Sequence, residues 1–169
     1  IILFEMIKHG YDSVQGRDCI DRMNYIHGHF PICHEDFAYI TASLILEPIY
    51  WNNRFGWRLL SENEKKAWLY FWLEIGKRMQ IQNLPTSLET MEAFKLEYET
   101  KLVRNSQATK VLGRVFVELV SSWFPLVPTP IVDILLRCLL DDSSLKAFEM
   151  KAPPVALKNL VEFCLAIAC

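Results

Sequence analysis

The chain has 169 residues, a mass of 19.7 kDa and a net charge of −2, with 51% hydrophobic and 22% charged residues. These values exclude a disordered tail, and a pI of about 6.1 excludes a basic field for nucleic acid or an anionic membrane surface. A mean hydropathy of +0.13 is high for a small free-standing domain and implies apolar surface beyond an ordinary core.

In chain order, Ile1-Ile2-Leu3-Phe4 reads as the interior of an apolar helix with no capping residue ahead of it. The chain is therefore expected to be the C-terminal part of a longer protein. The helix over residues 1–9 stops at Gly10. Asp12-Ser13 caps a helix over about 14–29, which Pro31 ends. A long helix is predicted from Glu35 to Asn53, with a kink or break at Pro48, whose ring removes a hydrogen bond and crowds the Leu44 carbonyl.

Ser61-Glu62-Asn63-Glu64 is a capping box for a helix over 62–80, and Thr86-Ser87-Leu88-Glu89 is a second, opening one over 88–103. Asn105-Ser106 caps a helix over 107–123. Pro125, Pro128 and Pro130 then impose a stiff turn, and short helices follow at 131–140, 143–150 and 154–167. No Asn-Gly or Asp-Gly hairpin turn and no sustained alternation occurs, so the expected class is all-α. The helix at 62–80 is the expected centre of the core. Trp68, Phe71, Trp72, Ile75 and Met79 form one stripe, and Leu69, Tyr70 and Leu73 extend apolar cover around most of its circumference.

Cys19, Cys33, Cys138, Cys164 and Cys169 are odd in number and form no CxxC pair, and no Asn-x-Ser/Thr site is present. This usage fits a reducing, intracellular or cytosol-facing location. No apolar run of 18 residues exists to span a membrane.

Chemistry concentrates in His27-Gly28-His29-Phe30-Pro31-Ile32-Cys33-His34. A zinc site from His27, His29, Cys33 and His34 matches no common spacing, and residues one or two apart on a helix point in different directions. His27 by itself shares a helical stripe with Ile20, Met23 and Phe30. A single imidazole on an apolar face suits a proximal haem ligand, although such a histidine is more often a core residue bonded to a nearby carbonyl. Phosphate loops, GxSxG, HExxH and EF-hand patterns are absent, as is any basic patch interleaved with aromatics, which argues against a nucleic-acid partner.

The order of several short motifs carries more information. Arg22-Met23-Asn24-Tyr25-Ile26-His27 is followed by Asp36-x-x-Tyr39, Glu47-Pro48, Trp57-Arg58 and Glu64. Then come Phe71-Trp72-x-x-Ile75-Gly76, Met79-x-Ile81, Pro85, Tyr98-Glu99, Asp141 and Pro153-Pro154. From about residue 10 to 160, this order resembles the catalytic domain shared by the fungal ER-bound MpaB-type oxygenase and the bacterial latex-clearing rubber oxygenases, with the fungal branch the nearer. The resemblance implies one all-α domain over 1–169 with a globin-like core, incomplete at its N-terminus.

It also implies haem b, with His27 as the iron ligand, Met23 and Phe30 against the macrocycle and Arg22 beside a propionate. The expected function is then a haem-dependent oxygenase, an oxidoreductase that cleaves a C=C bond of a hydrophobic, isoprenoid-type substrate. Association with the endoplasmic-reticulum membrane would run through parts outside this chain. Two departures stand out. The family's distal Arg and Thr motif would precede Ile1, and Thr41 stands where many bacterial relatives carry a second histidine. The alternative is a non-catalytic helical assembly subunit of the same family, with a protein partner.

Overall fold

The computed structural model describes residues 2–102 and 106–168, and no strand occurs among them. The elements are α1 (Ile2–His9), α2 (Val14–His27), α3 (His34–Phe55), α4 (Glu62–Arg78), α5 (Leu88–Leu102), α6 (Gln107–Trp123), α7 (Thr129–Leu139), α8 (Asp142–Ala147) and α9 (Val155–Ala168). The all-α class is thus the observed one. Residue contacts divide the chain into two units, one of residues 1–53 and 58–98 and one of residues 54–57 and 99–169.

In the first unit, the turn between α1 and α2 is set by two glycines and a serine. Gly10 takes φ +79°, a conformation open to glycine at little cost. Ser13 accepts a hydrogen bond from the Gly16 amide and donates its hydroxyl to the Gly10 carbonyl. Gly16 lies so near that carbonyl that a side chain there would overlap it. Arg78 at the end of α4 locks the same turn. Its guanidinium donates to the Tyr11 carbonyl at 2.7 Å and to Asp12 at 2.6 Å, and it lies over the Tyr11 ring.

Met6, Ile20, Met23, Ile45, Leu46, Leu69, Trp72, Ile75 and Met91 form the core of this unit. Trp72, Leu69 and Ile75 confirm α4 as its centre, but Tyr70 is exposed, so α4 keeps one solvent face. The helix α3 runs unbroken through Pro48. Proline lacks the N–H that would bond the Leu44 carbonyl four residues back. That carbonyl instead accepts the Trp68 indole N–H at 3.2 Å. The lost backbone bond of α3 has become a tie to α4.

Helix starts follow local chemistry with one shift. Ser61 and Glu64 make the expected capping box. At α5 the box is built one residue later, from Ser87 and Thr90: the Ser87 hydroxyl accepts the Thr90 amide and the Thr90 hydroxyl accepts the Ser87 amide. Threonine closes the box in place of the Thr86–Glu89 pairing expected from spacing. At α6, Ser106 is the cap and Thr109 its partner, while Asn105 lies outside the described residues. The helix α7 begins at Thr129, because Pro130 fits its first turn, where no N–H is required.

Two helices end alike. After α4, Gln80 adopts φ 57°, its amide donates to the Lys77 carbonyl and the Ile81 amide donates to Gly76. After α8, Glu149 adopts φ 53°, its amide donates to Lys146 and the Met150 amide donates to Leu145. Both are the paired hydrogen bonds of a left-handed helix terminus, with a side-chain residue where glycine is usual. These terminations stop α4 at Arg78 and α8 at Ala147, two and three residues before the sequence expectation.

The second unit packs α6 on α7 and α7 on α9. Apart from Phe55, its buried apolar side chains are mostly small: Val117, Val120, Val132, Cys138, Leu145 and Ala147. Gly113 lets α6 approach the segment after α8, since a Cβ there would sit 3.0 Å from Phe148 Cβ.

Candidate functional site around His27

His27 is the last residue of α2, and Gly28 caps the helix. The chain then turns tightly, with the Phe30 amide donating to the His27 carbonyl at 3.0 Å. Phe30 therefore lies past the helix end, 60% exposed, rather than on the α2 stripe. On the other side stands the end of α4, where the Asn24 side-chain amide donates to the Arg78 carbonyl at 3.2 Å. This bond fixes α2 against α4 within the first unit and opens a cleft of about 320 Å³ between the two helix ends and the start of α3. His27, Phe30, Ile32, Phe37, Met79 and the left-handed Gln80 are among the residues lining it. Its volume is at the lower end for small-molecule sites.

Within the cleft, the His27 ring lies 5.1 Å from that of Phe37. Its Nδ1 is buried and has no hydrogen-bond partner, so no carbonyl or carboxylate holds it. A buried polar atom left unpaired costs about 1–3 kcal/mol. The other two histidines of the cluster are engaged. His29 Nδ1 donates to the Tyr25 carbonyl at 2.7 Å, and His34 Nδ1 accepts the Gln82 amide at 3.4 Å. Among the described residues, no three His, Cys, Asp or Glu side chains gather as a ligand set.

The remaining expected site residues lie elsewhere. Met23 is buried in the core of the first unit, and Arg22 is an exposed residue of α2; neither lines the cleft. Thr41 is buried and donates its hydroxyl to the Phe37 carbonyl of its own helix at 2.8 Å.

A haem requires an axial nitrogen, an apolar wall and cations or solvent for its carboxylates. Of the two His27 nitrogens only Nε2 could serve, since Nδ1 is enclosed by protein, and Phe30, Ile32, Phe37 and Met79 supply an apolar side to a cleft that Asn24 and Gln80 also line. Its lining includes no Lys or Arg, so the carboxylates would face solvent.

Beside the cleft, at the start of α3, a second cluster joins distant motifs. Tyr98 on α5 donates its hydroxyl to Asp36 at 2.5 Å, and the Tyr39 ring stacks on Tyr98 at 4.2 Å. The Tyr98 hydroxyl, followed by the Cys33 thiol, holds the Asp36 carboxyl below its ordinary range. Burial, reinforced by Asp36, pushes the Tyr98 phenol up. Asp36 and Tyr98 are 62 residues apart, so nothing in the local pattern of either announces the other.

The other quoted motifs prove to be partners too. Glu47 pairs with Lys95 at 3.0 Å, and Arg58 holds Glu64 through two hydrogen bonds of 2.8 and 2.6 Å. Trp72 also has an unpartnered indole N–H, but that group is a donor and cannot ligate a metal. Among the motif residues, His27 combines ligating chemistry with a buried unpaired atom.

A larger cleft of about 560 Å³ lies in the second unit, lined among others by Lys110, Arg114, Asp133 and Glu149. Among its charges Lys110 pairs with Glu149 at 2.8 Å, and Asp133 pairs with Arg137 at 2.5 Å. It holds no histidine or cysteine. Comparison of the chain with protein-family models, with curated proteins and with solved structures returned no match.

Proposed function

We propose that the chain carries the haem-binding part of an oxygenase that cleaves a C=C bond in a hydrophobic, isoprenoid-type substrate. The observation that carries this reading is the place of His27 in the wall of a cleft that Phe30, Ile32, Phe37 and Met79 also line, with no protein hydrogen bond to its Nδ1. It coincides with the position to which the motif resemblance assigns the iron ligand. In this reading His27 would hold the iron through Nε2, because Nδ1 is enclosed by protein. Phe30, Ile32, Phe37 and Met79 supply apolar surface that favours a hydrocarbon substrate. The Asn24–Arg78 hydrogen bond positions His27 by fixing the end of α2 on α4. Haem, when bound, supplies the activation of dioxygen.

Reconstitution with haem b, followed by the Soret absorption, tests the assignment. Wild type is expected to take up haem. His27→Ala should lose the band, while His29→Ala and His34→Ala keep it, because those two rings are held by Tyr25 and Gln82. Unchanged uptake by His27→Ala would defeat the ligand assignment. A wild-type protein that takes up no haem would favour the non-catalytic assembly subunit.

A further inference from the structure

Residues 119–132 carry no ionisable side chain, and they form the end of α6, a turn and the start of α7. Leu112, Phe116, Leu119 and Trp123 follow one stripe of α6 and are all exposed. The stripe runs into Phe124, Leu126 and Val127 in the turn and on to Ile131 of α7. Leu126 is 96% exposed and so forms an apex.

The backbone at this apex is short of free donors. Pro125, Pro128 and Pro130 have no N–H. The Phe124 amide donates to Ser121 and the Val127 amide to Phe124, both within hydrogen-bond distance. The Ser122 hydroxyl turns back to the Leu119 carbonyl at 2.6 Å.

We propose that this tip is an interfacial anchor that inserts into the headgroup and upper acyl region of a zwitterionic bilayer. Three physical features favour lipid over a protein partner. A projecting leucine can be covered all round by a fluid medium that conforms to it, whereas a protein would need a matching pocket. Trp123 and Phe124 flank the apex, and aromatic rings of this kind favour the membrane interface. Most of the turn's N–H groups are absent or bonded internally, which removes much of the cost of placing irregular backbone near hydrocarbon.

No Lys or Arg lies between Arg114 and Arg137, so attraction to anionic lipid contributes little. Among the described residues no helix is long and apolar enough to cross a membrane; the anchor lies on one leaflet. It is independent of the haem reading.

The test uses the 169-residue chain and phosphatidylcholine vesicles with brominated acyl chains. The chain should sediment with the vesicles, equally at low and high salt, with part of its tryptophan emission quenched. Trp123→Phe should remove most of that quenching. Leu126→Asp should keep its helical circular dichroism, because the side chain touches little, and should lower vesicle binding by about tenfold or more. A chain that stays in the supernatant overturns the proposal, as does Leu126→Asp binding as well as wild type. Self-association that Leu126→Asp abolishes, without vesicle binding, would assign the tip to a second copy instead.

Discussion

The two units build their cores from side chains of different size. In the first, a tryptophan, large aliphatics and methionines converge on α4, and Trp72 is 2% exposed. In the second, the buried set is mostly valine, alanine and cysteine, while Leu112, Phe116, Trp123, Leu126 and Phe163 face outward. The high mean hydropathy of the chain goes with apolar side chains left exposed in both units. The first unit also exposes apolar side chains, Phe4, Tyr25, Leu59 and Leu96 among them, so the difference lies in the size of the buried residues rather than in exposure. The cleft of the first unit is lined without Lys or Arg, whereas that of the second carries the Lys110–Glu149 pair; each unit leaves buried polar atoms unpaired, His27 Nδ1 and Trp72 Nε1 in the first, Ser121 Oγ and Arg137 Nε in the second.

The contrast is sharpest between two tryptophans. Trp72→Ala should cost about 3–5 kcal/mol in urea denaturation, through lost burial and a residual cavity. Trp123→Ala, at 63% exposure, should change stability by about 0.5 kcal/mol or less. Comparable losses at both positions would show that the second unit's outward aromatics pack as core.

Next in size is the Asp36–Tyr98 pair. Tyr98→Phe should destabilise the first unit by about 1–2 kcal/mol at neutral pH, because it removes a hydrogen bond to a carboxylate. Asp36 has a depressed pKa, so its contribution is complete above the ordinary value of 3.8 and is lost as pH falls through the lower, folded value. Tyr98 has a raised pKa, so its share is complete below 10.0 and declines as pH rises above it. In Tyr98→Phe, carboxyl titration followed by NMR should find Asp36 shifted upward. An unmoved Asp36 would mean that Cys33, rather than Tyr98, governs that carboxyl.

The smallest effects belong to the matched helix ends. Gln80→Gly should stabilise by about 1 kcal/mol, since glycine takes the left-handed conformation without the Cβ penalty. Glu149→Gly should gain less, because it also removes the partner of Lys110. Equal gains in thermal denaturation would indicate that the exposed Lys110–Glu149 pair contributes nothing, as many surface pairs do.

Helix existence and most helix starts were legible in the residues, because caps and apolar stripes are built from positions three and four apart. Ser13, Ser61 and Ser106 caps satisfy amides within their own first turn. The two early terminations after α4 and α8 were not legible, since Gln80 and Glu149 carry no sign of a left-handed conformation. His27 stood out by residue type and face. That its Nδ1 lacks a partner, and that Met23 and Arg22 lie outside its cleft, depends on where α4 ends against α2.

Tertiary structure also decided the meaning of the motifs. Trp68 donates from another helix to the carbonyl that Pro48 leaves without its donor, Arg78 reaches a turn 66 residues earlier to hold Asp12, and Tyr98 finds Asp36. Local propensity reports on torsions and near neighbours, so it can write helices. A hydrogen bond between residues far apart exists only once the helices have packed, and that packing determines which polar atoms are satisfied and which single imidazole nitrogen among the three clustered histidines is left buried without a partner.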